Sequence, residues 1–334
     1  MTDHSTREQL HGFVDDLERS LDFDIGHGFE CEDILLCGVG GSAVSGDFAA
    51  DCCYTESRER IRLMKYPDLP SWVGPSTLAV VSSYSGNTAE TLGMYEQARA
   101  RGCTVVAITS GGALRRLAES NGDDLVLLPE GMNPRHAIGY MIGYTLSVIR
   151  SAGGPDLSGR IRAFIPSLRR YRDECALAEG SLAHEVADRF RGHVPVICSD
   201  SSMQSVAFRW KTQINENSKF VAFCEQTPSF EADGLGSWIE HPRDDFILTF
   251  LIGVDDPMCM STSVFERASE AVGGSGAESI AIRLGGSSTL ENMFRGIILG
   301  DYISIYMAEH RGIDPAEVRP VMQMKEKLAR IRHL

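Results

Sequence analysis

Seven consecutive residues decide the fold of this chain, and they read Ser-Ser-Tyr-Ser-Gly-Asn-Thr at positions 82–88. They end an apolar, strand-like run and precede a stretch with helical character at 89–101. Hydroxyl groups at the start of a helix, together with its free N–H groups and its dipole, favour an anion. A single residue such as Asn87 or Thr88 would be enough to cap the helix. Because the whole stretch, here called the hydroxyl loop, is built of such residues, we expect it to bind a phosphate group.

Around this loop, short apolar runs alternate with amphipathic stretches, which is typical of an α/β fold with a parallel sheet. In the first half we expect strands at 33–37, 77–82, 104–109 and 124–128, and helices at 43–53, 88–101, 113–120 and 137–151. After a break at 153–155 and a charged helical stretch at about 160–189, the same order returns. Strands are expected at 193–198, 220–224, 246–251 and 279–284, and helices at 205–218, 262–272, 290–311 and 316–332. The pattern predicts two copies of one α/β unit and a terminal helix.

The composition is that of a globular protein. The 334 residues are 43% hydrophobic and 23% charged, and no apolar run approaches the roughly 20 residues that a membrane helix needs. The polar start does not resemble a signal peptide, and nine scattered cysteines without CxxC spacing are expected to be reduced thiols. A formal charge of −14 disfavours nonspecific binding to nucleic acid. We expect a cytoplasmic protein that binds neither nucleic acid nor membrane.

A second loop, here called the glycine loop, reads Gly-Val-Gly-Gly-Ser-Ala at residues 38–43 and joins a strand to a helix. Its spacing fits GxGxxA, the pattern of dinucleotide-binding loops. Glycines at such a turn also serve close packing between a helix and a strand. The interpretation of this chain as an oxidoreductase that binds a nicotinamide or flavin therefore depends on this match alone, and the hydroxyl loop argues against it.

With Gly-Gly-Ser after one strand and Ser-Tyr-Ser-Gly-Asn-Thr after the next, the chain resembles the SIS (sugar isomerase) proteins, a flavodoxin-like α/β family of phosphosugar isomerases and phosphosugar sensors. Three further segments are similar to those of bifunctional phosphoglucose/phosphomannose isomerases. They are Asn-Pro-Arg at 133–135, Arg-Trp-Lys-Thr-Gln-Ile-Asn-Glu-Asn-Ser-Lys at 209–219 and Val-Met-Gln-Met-Lys at 321–325. The resemblance spans nearly the whole chain. It implies an N-terminal helical segment (1–30), a phosphate-binding SIS domain (31–153), a second SIS domain (154–312) and a C-terminal helix (313–334).

The resemblance implies an aldose-ketose isomerase, without a cofactor, that converts glucose 6-phosphate or mannose 6-phosphate to fructose 6-phosphate through an enediolate. Such a reaction needs a base for the proton that moves between C1 and C2, and positive charge near the developing oxyanion. Glu216 stands at the position of the family's base, Arg135 at that of its arginine near the reacting carbons, and Lys325 at that of its active-site lysine. The substrate phosphate is expected at Gly40, Gly41, Ser42, Ser83, Ser85 and Thr88. A homodimer with shared active sites is also implied. Without the resemblance, these charged residues would be read as solvated or ion-paired surface groups.

The sequence departs from the family at one position. The relatives carry His-Asn-Glu-Ile-x-Gly-Trp after the base, and the histidine opens the sugar ring; here residues 232–238 read Ala-Asp-Gly-Leu-Gly-Ser-Trp. Ala232 cannot transfer a proton. Three alternatives remain: Glu231, Asp233 or His241 replaces the histidine, the substrate is an open-chain sugar phosphate, or the protein binds a sugar phosphate with weak or no turnover.

Two further patterns limit the chemistry. The histidines show neither HxH nor HExxH spacing, so a metal site is not expected; His136 is the one placed nearest the expected site. In the second half, the loop at 253–262 has acids where the first half has hydroxyls, and carboxylates repel phosphate. We expect one phosphate site per chain.

Overall fold

The computed structural model describes residues 6–227, 229–254 and 261–317. Its first half contains a five-stranded sheet in which every strand pair is parallel. The strands are β1 (Asp33–Gly38), β2 (Arg60–Met64), β3 (Thr77–Ser82), β4 (Thr104–Thr109) and β5 (Asp124–Leu127). Their order, β2-β1-β3-β4-β5, is that of flavodoxin-like folds. Gly38 lies opposite Ser82 in the register of β1 and β3, so the glycine loop and the hydroxyl loop begin side by side.

Helices cover both faces of this sheet. They are α1 (Thr6–His11), α2 (Phe13–Ser20), α3 (Gly41–Cys53), α4 (Ala89–Ala100), α5 (Gly112–Asn121) and α6 (Ile138–Ser151). Alternate residues of a strand point to opposite faces. Accordingly Leu35 belongs to the apolar cluster that includes Met94 of α4, while Leu36 belongs to the one that includes Phe48 of α3. Both faces of β1 and β3 are buried, which explains their continuous apolar runs.

The second half repeats this plan with four strands. Its elements are α7 (Ser158–Cys175), α8 (Leu182–Arg189), β6 (Val194–Ser199), α9 (Gln204–Asn217), β7 (Phe223–Gln226), α10 (Leu235–Glu240), β8 (Phe246–Ile252), α11 (Ser261–Ser275), β9 (Glu278–Arg283) and α12 (Thr289–His310). The strand order β7-β6-β8-β9 is parallel throughout and matches the first four positions of the other sheet. The predicted tandem α/β fold with parallel sheets is confirmed.

The differences from the predicted elements have physical reasons. The edge strand β2 was not predicted, because two of the five residues in its sequence Arg-Ile-Arg-Leu-Met are charged and its side chains are exposed or partly exposed. The stretch expected as one helix at 160–189 is divided at residues 176–181, where Ser181 accepts a hydrogen bond from the His184 N–H and starts α8. Lys325 and most of the expected C-terminal helix lie outside the described residues, as does most of the acidic loop at 253–262. Within the described part, no helix is both long and apolar enough to cross a membrane.

The two halves share one core. The ring of Phe48 on α3 meets that of Phe294 on α12 at a centroid distance of 4.9 Å. Asp51, also on α3, accepts a hydrogen bond at 3.0 Å from the N–H of Ser205 in the first turn of α9. The first contact joins α12 to the first half, and the second joins α9 to it. The C-terminal end of α9 lies near the two loops of the first sheet.

Candidate active site

A cavity of about 960 Å³ lies between the halves. The glycine loop, the hydroxyl loop and residues 133–135 form its first-half side, and the end of α9 and residues 316–317 form the other. Of the residues expected from the sequence, the structure brings eight to this wall. They are Gly40, Gly41, Ser42, Ser83, Ser85, Thr88, Arg135 and Glu216.

The glycine loop turns sharply into α3. Gly40 has a φ of 62°, which a side chain rarely permits. Gly41 lies against the backbone of the 133–135 segment, since a Cβ on it would be 3.5 Å from both Pro134 O and Arg135 Cα. Ser42 Oγ accepts a hydrogen bond from the N–H of Tyr84 at 3.3 Å, which joins the glycine loop to the hydroxyl loop.

The glycine and the asparagine of the hydroxyl loop pack and hydrogen-bond against the start of α5. Gly86 has a φ of 64°, and a Cβ on it would lie 1.8 Å from the carbonyl oxygen of Gly111, so only glycine fits. Asn87 Oδ1 accepts from the N–H of Ala113 and so caps α5, while Thr88 makes no side-chain cap on α4. Simple capping of α4 therefore does not account for this loop.

The hydroxyls of the loop face the cavity at the start of α4. Ser83 Oγ donates to Thr88 Oγ1 at 3.2 Å, and Ser85 Oγ accepts from the N–H of Asn87 at 3.3 Å. Three hydroxyls and the start of a twelve-residue helix thus meet at one end of the cavity. Hydroxyls and free N–H groups are the donors from which phosphate-binding loops are made.

Arg135, from the first half, and Glu216, from α9, form an ion pair at the cavity. The distance between Arg135 Nε and Glu216 Oε2 is 3.1 Å, and their side chains are 7% and 43% exposed. Arg135 Nη1 donates to Asn217 Oδ1 at 2.6 Å and to Pro315 O at 3.2 Å. Burial lowers the pKa of Arg135, although the charge of Glu216 opposes this effect. Arg135 is therefore a buried cation directed at a carboxylate that solvent can reach, not a surface ion pair.

A buried polar stripe on α9 supports this pair. Arg209, Gln213 and Asn217 are each 2% exposed or less and lie four residues apart, on one face of the helix. Arg209 binds Asp301 through two hydrogen bonds and donates to the carbonyl oxygen of Arg135 at 3.1 Å. Asn217 Nδ2 donates to Ser304 Oγ at 2.9 Å. No role was assigned to these residues from the sequence, because nine of the fourteen residues of α9 are polar or charged and the spacing of these three does not stand out among them.

Comparison with known proteins shows which family this chain resembles. A family profile described as "Bacterial phospho-glucose isomerase C-terminal SIS domain" matches residues 179–328. A protein of Thermoplasma volcanium named bifunctional phosphoglucose/phosphomannose isomerase is 30% identical over 324 residues, which are 96% of this chain and 99% of that protein. One of the same name from Caldicellulosiruptor bescii is 30% identical over 312 residues, 91% of each chain.

This chain belongs to the bifunctional phosphoglucose/phosphomannose isomerase family. The resemblance found in the sequence is thereby confirmed. The fold is also that of a crystal structure of a hypothetical protein from Thermus thermophilus, with a TM-score of 0.73 at 19% identity over 99% of this chain and 91% of that chain.

The position at which this member departs from its family lies away from the cavity wall. Ala232 is exposed, in a single turn of π-helix at Phe230–Gly234, and it is not among the described residues that line the cavity. His241 is exposed after α10 and does not line the cavity either. The side chains of Glu231 and Asp233 lie outside what the structure describes. Within one chain, neither Ala232 nor His241 contributes to this site.

The histidine expected near the site is next to it but buried. His136 is 2% exposed, and neither ring nitrogen has a hydrogen-bond partner. Burial, followed by the charges of Arg209 and Arg135, lowers the pKa of His136 to about 3. A neutral imidazole is therefore present near pH 7, and it cannot serve there as a proton donor.

A possible metal cluster in the described part of the chain is already bound by a cation. His184, Asp188 and His310 bring their ligand atoms within 4.8 Å of one another. Arg191 pairs with Asp188 at 2.9 Å and donates to His310 Nδ1 at 3.2 Å. The guanidinium takes the place of a metal ion, so the cluster is a network of ion pairs.

Carboxylates occupy the hydrogen-bond donors of two loops in the second half. The loop Gly-Gly-Ser-Ser at 285–288 follows β9 and leads into α12, and the carboxylate of Glu291 lies at its end. Glu291 accepts hydrogen bonds from Ser287 N at 2.8 Å, Ser287 Oγ at 2.7 Å and Ser167 Oγ at 2.6 Å, and it pairs with Arg295. After β6, Asp200 likewise accepts from Ser202 N at 2.8 Å. In both loops a carboxylate occupies the donors that a phosphate would need.

Proposed function

We propose that this protein interconverts aldose and ketose 6-phosphates, namely glucose 6-phosphate or mannose 6-phosphate and fructose 6-phosphate, with Glu216 as base. The observation that carries the proposal is that the Arg135–Glu216 ion pair and the hydroxyl loop line the same cavity. Two relatives of 30% identity that extend over nearly the whole chain are named for this reaction, which supports it.

In this proposal the two loops bind the 6-phosphate and leave C1 and C2 near Glu216. The carboxylate takes the proton from C2 of the open-chain aldose, and the electron pair forms the C1–C2 double bond with negative charge on O1. The proton of the O2 hydroxyl passes to O1, and Glu216 returns its proton to C1, which gives the ketose. The guanidinium of Arg135 stabilises the negative charge of the enediolate.

Two further parts of the proposal come from the family resemblance. Lys325, outside the described residues, would act near the ring oxygen. A homodimer with shared active sites would bring a second chain to the cavity. Val221, which lines the cavity, and Phe223, two residues later in the chain, have apolar side chains that are 57% and 48% exposed and are suited to such a contact.

Ala232 favours a second candidate function, a phosphosugar-binding protein with weak or lost turnover. Hexose phosphates exist mainly as closed rings, and a chain without a ring-opening residue would act slowly on them. Binding would still use the glycine and hydroxyl loops, so both candidates predict affinity for hexose 6-phosphates. Turnover distinguishes them.

The test is an isomerase assay with glucose 6-phosphate, mannose 6-phosphate and fructose 6-phosphate on the wild type and Glu216→Gln. We expect Glu216→Gln to lower kcat by about 10³-fold, while fructose 6-phosphate still raises the melting temperature of both proteins. Glu225→Gln, an exposed glutamate on β7 outside the cavity wall, is the matched control and should keep full activity. Full activity of Glu216→Gln would show that another residue is the base.

If the wild type turns over none of the three sugars while fructose 6-phosphate still stabilises it, the binding function is correct. In the case of slow turnover, Ala232→His identifies the missing step. We expect this variant to raise kcat on glucose 6-phosphate by about 10-fold or more if ring opening is limiting. An unchanged rate would assign the slow step to proton transfer.

A further inference from the structure

Lys219 has a backbone conformation that residues with side chains rarely adopt. Its φ is 51°, and across residues 6–227, 229–254 and 261–317 it is the one non-glycine residue with a positive φ. It is the second residue after α9, where helices commonly end on a glycine in the left-handed conformation. Glycine would make the same turn without steric cost. The reason for a lysine here must therefore lie in its side chain.

The ammonium group of Lys219 joins two parts of the cavity wall. Its Nζ donates to the carbonyl oxygen of Glu216 at 2.6 Å and, at longer distances of 3.5 and 3.4 Å, to those of Asp314 and Pro315. The latter two belong to residues 312–317, here called the exit segment, which follows α12 and ends on the cavity wall. One side chain thus connects the helix that carries Glu216 to the exit segment.

Arg135 binds the exit segment at the same atom. Its Nη1 donates to Pro315 O at 3.2 Å, while its Nε lies 3.1 Å from the Glu216 carboxylate. Glu216 is therefore held at both ends, by Arg135 at the carboxylate and by Lys219 at the main-chain carbonyl. Burial, and next the charge of Arg135, lower the pKa of Lys219, as expected for two cations that face one oxygen.

We propose that Lys219 is a positioning residue for the isomerisation: it ties the main chain at Glu216 to the exit segment and so fixes the carboxylate relative to Arg135 and the two loops. This inference rests on the proposed role of Glu216 as base. A displacement of about 1 Å in a catalytic arrangement can lower a rate by about 10²-fold. A single tie at the end of α9 is therefore enough to affect the reaction.

Lys219→Gly tests the tie without backbone strain, and Lys219→Arg retains a cation with several donors. With fructose 6-phosphate we expect Lys219→Gly to lower kcat by about 10- to 100-fold, while KM changes by less than about threefold because both loops are intact. Lys219→Arg should recover most of the lost rate. A purely structural role predicts a lower melting temperature in Lys219→Gly with kcat unchanged, and that result would overturn the proposal.

Hydrogen exchange of a peptide that covers residues 312–317 gives a readout that does not need turnover. We expect faster exchange in Lys219→Gly than in the wild type and recovery in Lys219→Arg. Unchanged exchange overturns the inference, whatever the activity, and so does faster exchange with wild-type kcat. If the wild type proves inactive on all three sugars but exchange becomes faster in Lys219→Gly, the tie is real and the proposed function is the part that fails.

Discussion

Arg209 and Asp301 form a two-point ion pair inside the protein, with Nε–Oδ1 and Nη2–Oδ2 distances of 2.9 and 2.6 Å and side chains only 2% and 3% exposed. The pair links α9 to α12, and Arg209 also donates a hydrogen bond to the carbonyl oxygen of Arg135. Removal of one partner of a buried pair leaves a charge that neither water nor protein compensates.

We therefore expect Asp301→Ala to lower the free energy of unfolding by about 3–5 kcal/mol, measured by urea denaturation. Glu266→Ala is the matched control, because its partner Arg283 and Glu266 itself are 57% and 40% exposed. An exposed pair contributes about 1 kcal/mol or less. Equal losses in the two variants would contradict the importance given to burial.

Two glycines near the hydroxyl loop should respond to alanine in opposite ways. Gly86→Ala places a methyl group against the backbone of Gly111 at a positive φ, so we expect a loss of stability of more than about 1 kcal/mol. Its affinity for fructose 6-phosphate should also fall, because the loop must move. Gly93 lies within α4 and a Cβ there meets nothing within 4 Å, so Gly93→Ala should stabilise by about 0.5–1 kcal/mol. Thermal denaturation with and without the sugar phosphate measures both, and a stable Gly86→Ala with wild-type affinity would refute the geometry of the loop.

His136 should make the protein sensitive to mild acid. The unfolded chain binds a proton at this histidine near pH 6.5, whereas burial and the charges of Arg209 and Arg135 lower the pKa in the folded protein to about 3. Stability is thus complete above pH 6.5 and falls below it, by up to about 1.4 kcal/mol per pH unit. Burial raises the pKa values of Asp16 and Asp51 to about 6, which has the opposite effect on stability in both proteins. Urea denaturation at pH 7.5, 6.5 and 5.5 should therefore show the slope of His136 as a loss of stability of the wild type relative to His136→Leu. Parallel slopes in the two proteins would exclude His136 as the cause.

Glu291 should also lose its contribution to stability as the pH falls, but in a more acidic range than His136. Burial disfavours its charge, but hydrogen bonds from Ser167 and Ser287 and the charge of Arg295 outweigh burial and lower the pKa from 4.5 to about 2. Its contribution is present above pH 4.5 and is lost as the pH falls toward 2, with a size on the order of 3 kcal/mol. Glu291→Gln should be less stable than the wild type at pH 7, and the gap should narrow at pH 3.5. A gap of the same size at both values would contradict the assigned pKa.

Most of the fold could be predicted because its strands are buried on both faces. Runs such as Thr77–Ser82 and Phe246–Ile252 are continuous apolar segments between turn residues, and periodicity alone identifies them. The edge strand Arg60–Met64 could not be found in this way. Its arginines are exposed and its apolar residues are only partly buried, so it is not a continuous apolar run. The break at 176–181 does have a local signal that the prediction missed, because Gly180 has a φ of 76° and Ser181 caps α8.

The residues of the candidate site also differ in whether the sequence alone could identify them. Loops with unusual composition, such as residues 82–88, are visible in the sequence because glycines and hydroxyls are concentrated there. Arg135 and Glu216 were found through resemblance to a family, since spacing alone would have left them as surface charges. Lys219 could not be recognised, because its left-handed backbone and its contact with Pro315, nearly one hundred residues later, exist only in the folded chain.

The cavity joins the glycine loop, the hydroxyl loop and Arg135 from the first half to Glu216 from the second, and this division has a consequence for recombination among relatives. A chimaera with a crossover at the 153–155 break would combine the proposed phosphate-binding loops of one parent with the proposed base of the other. Preference between glucose and mannose epimers, which differ only at C2, should then be inherited with the half that carries Glu216. Such hybrids would need compatible side chains where Phe48 meets Phe294, because the common core, and not the chemistry, would limit which parents can be exchanged.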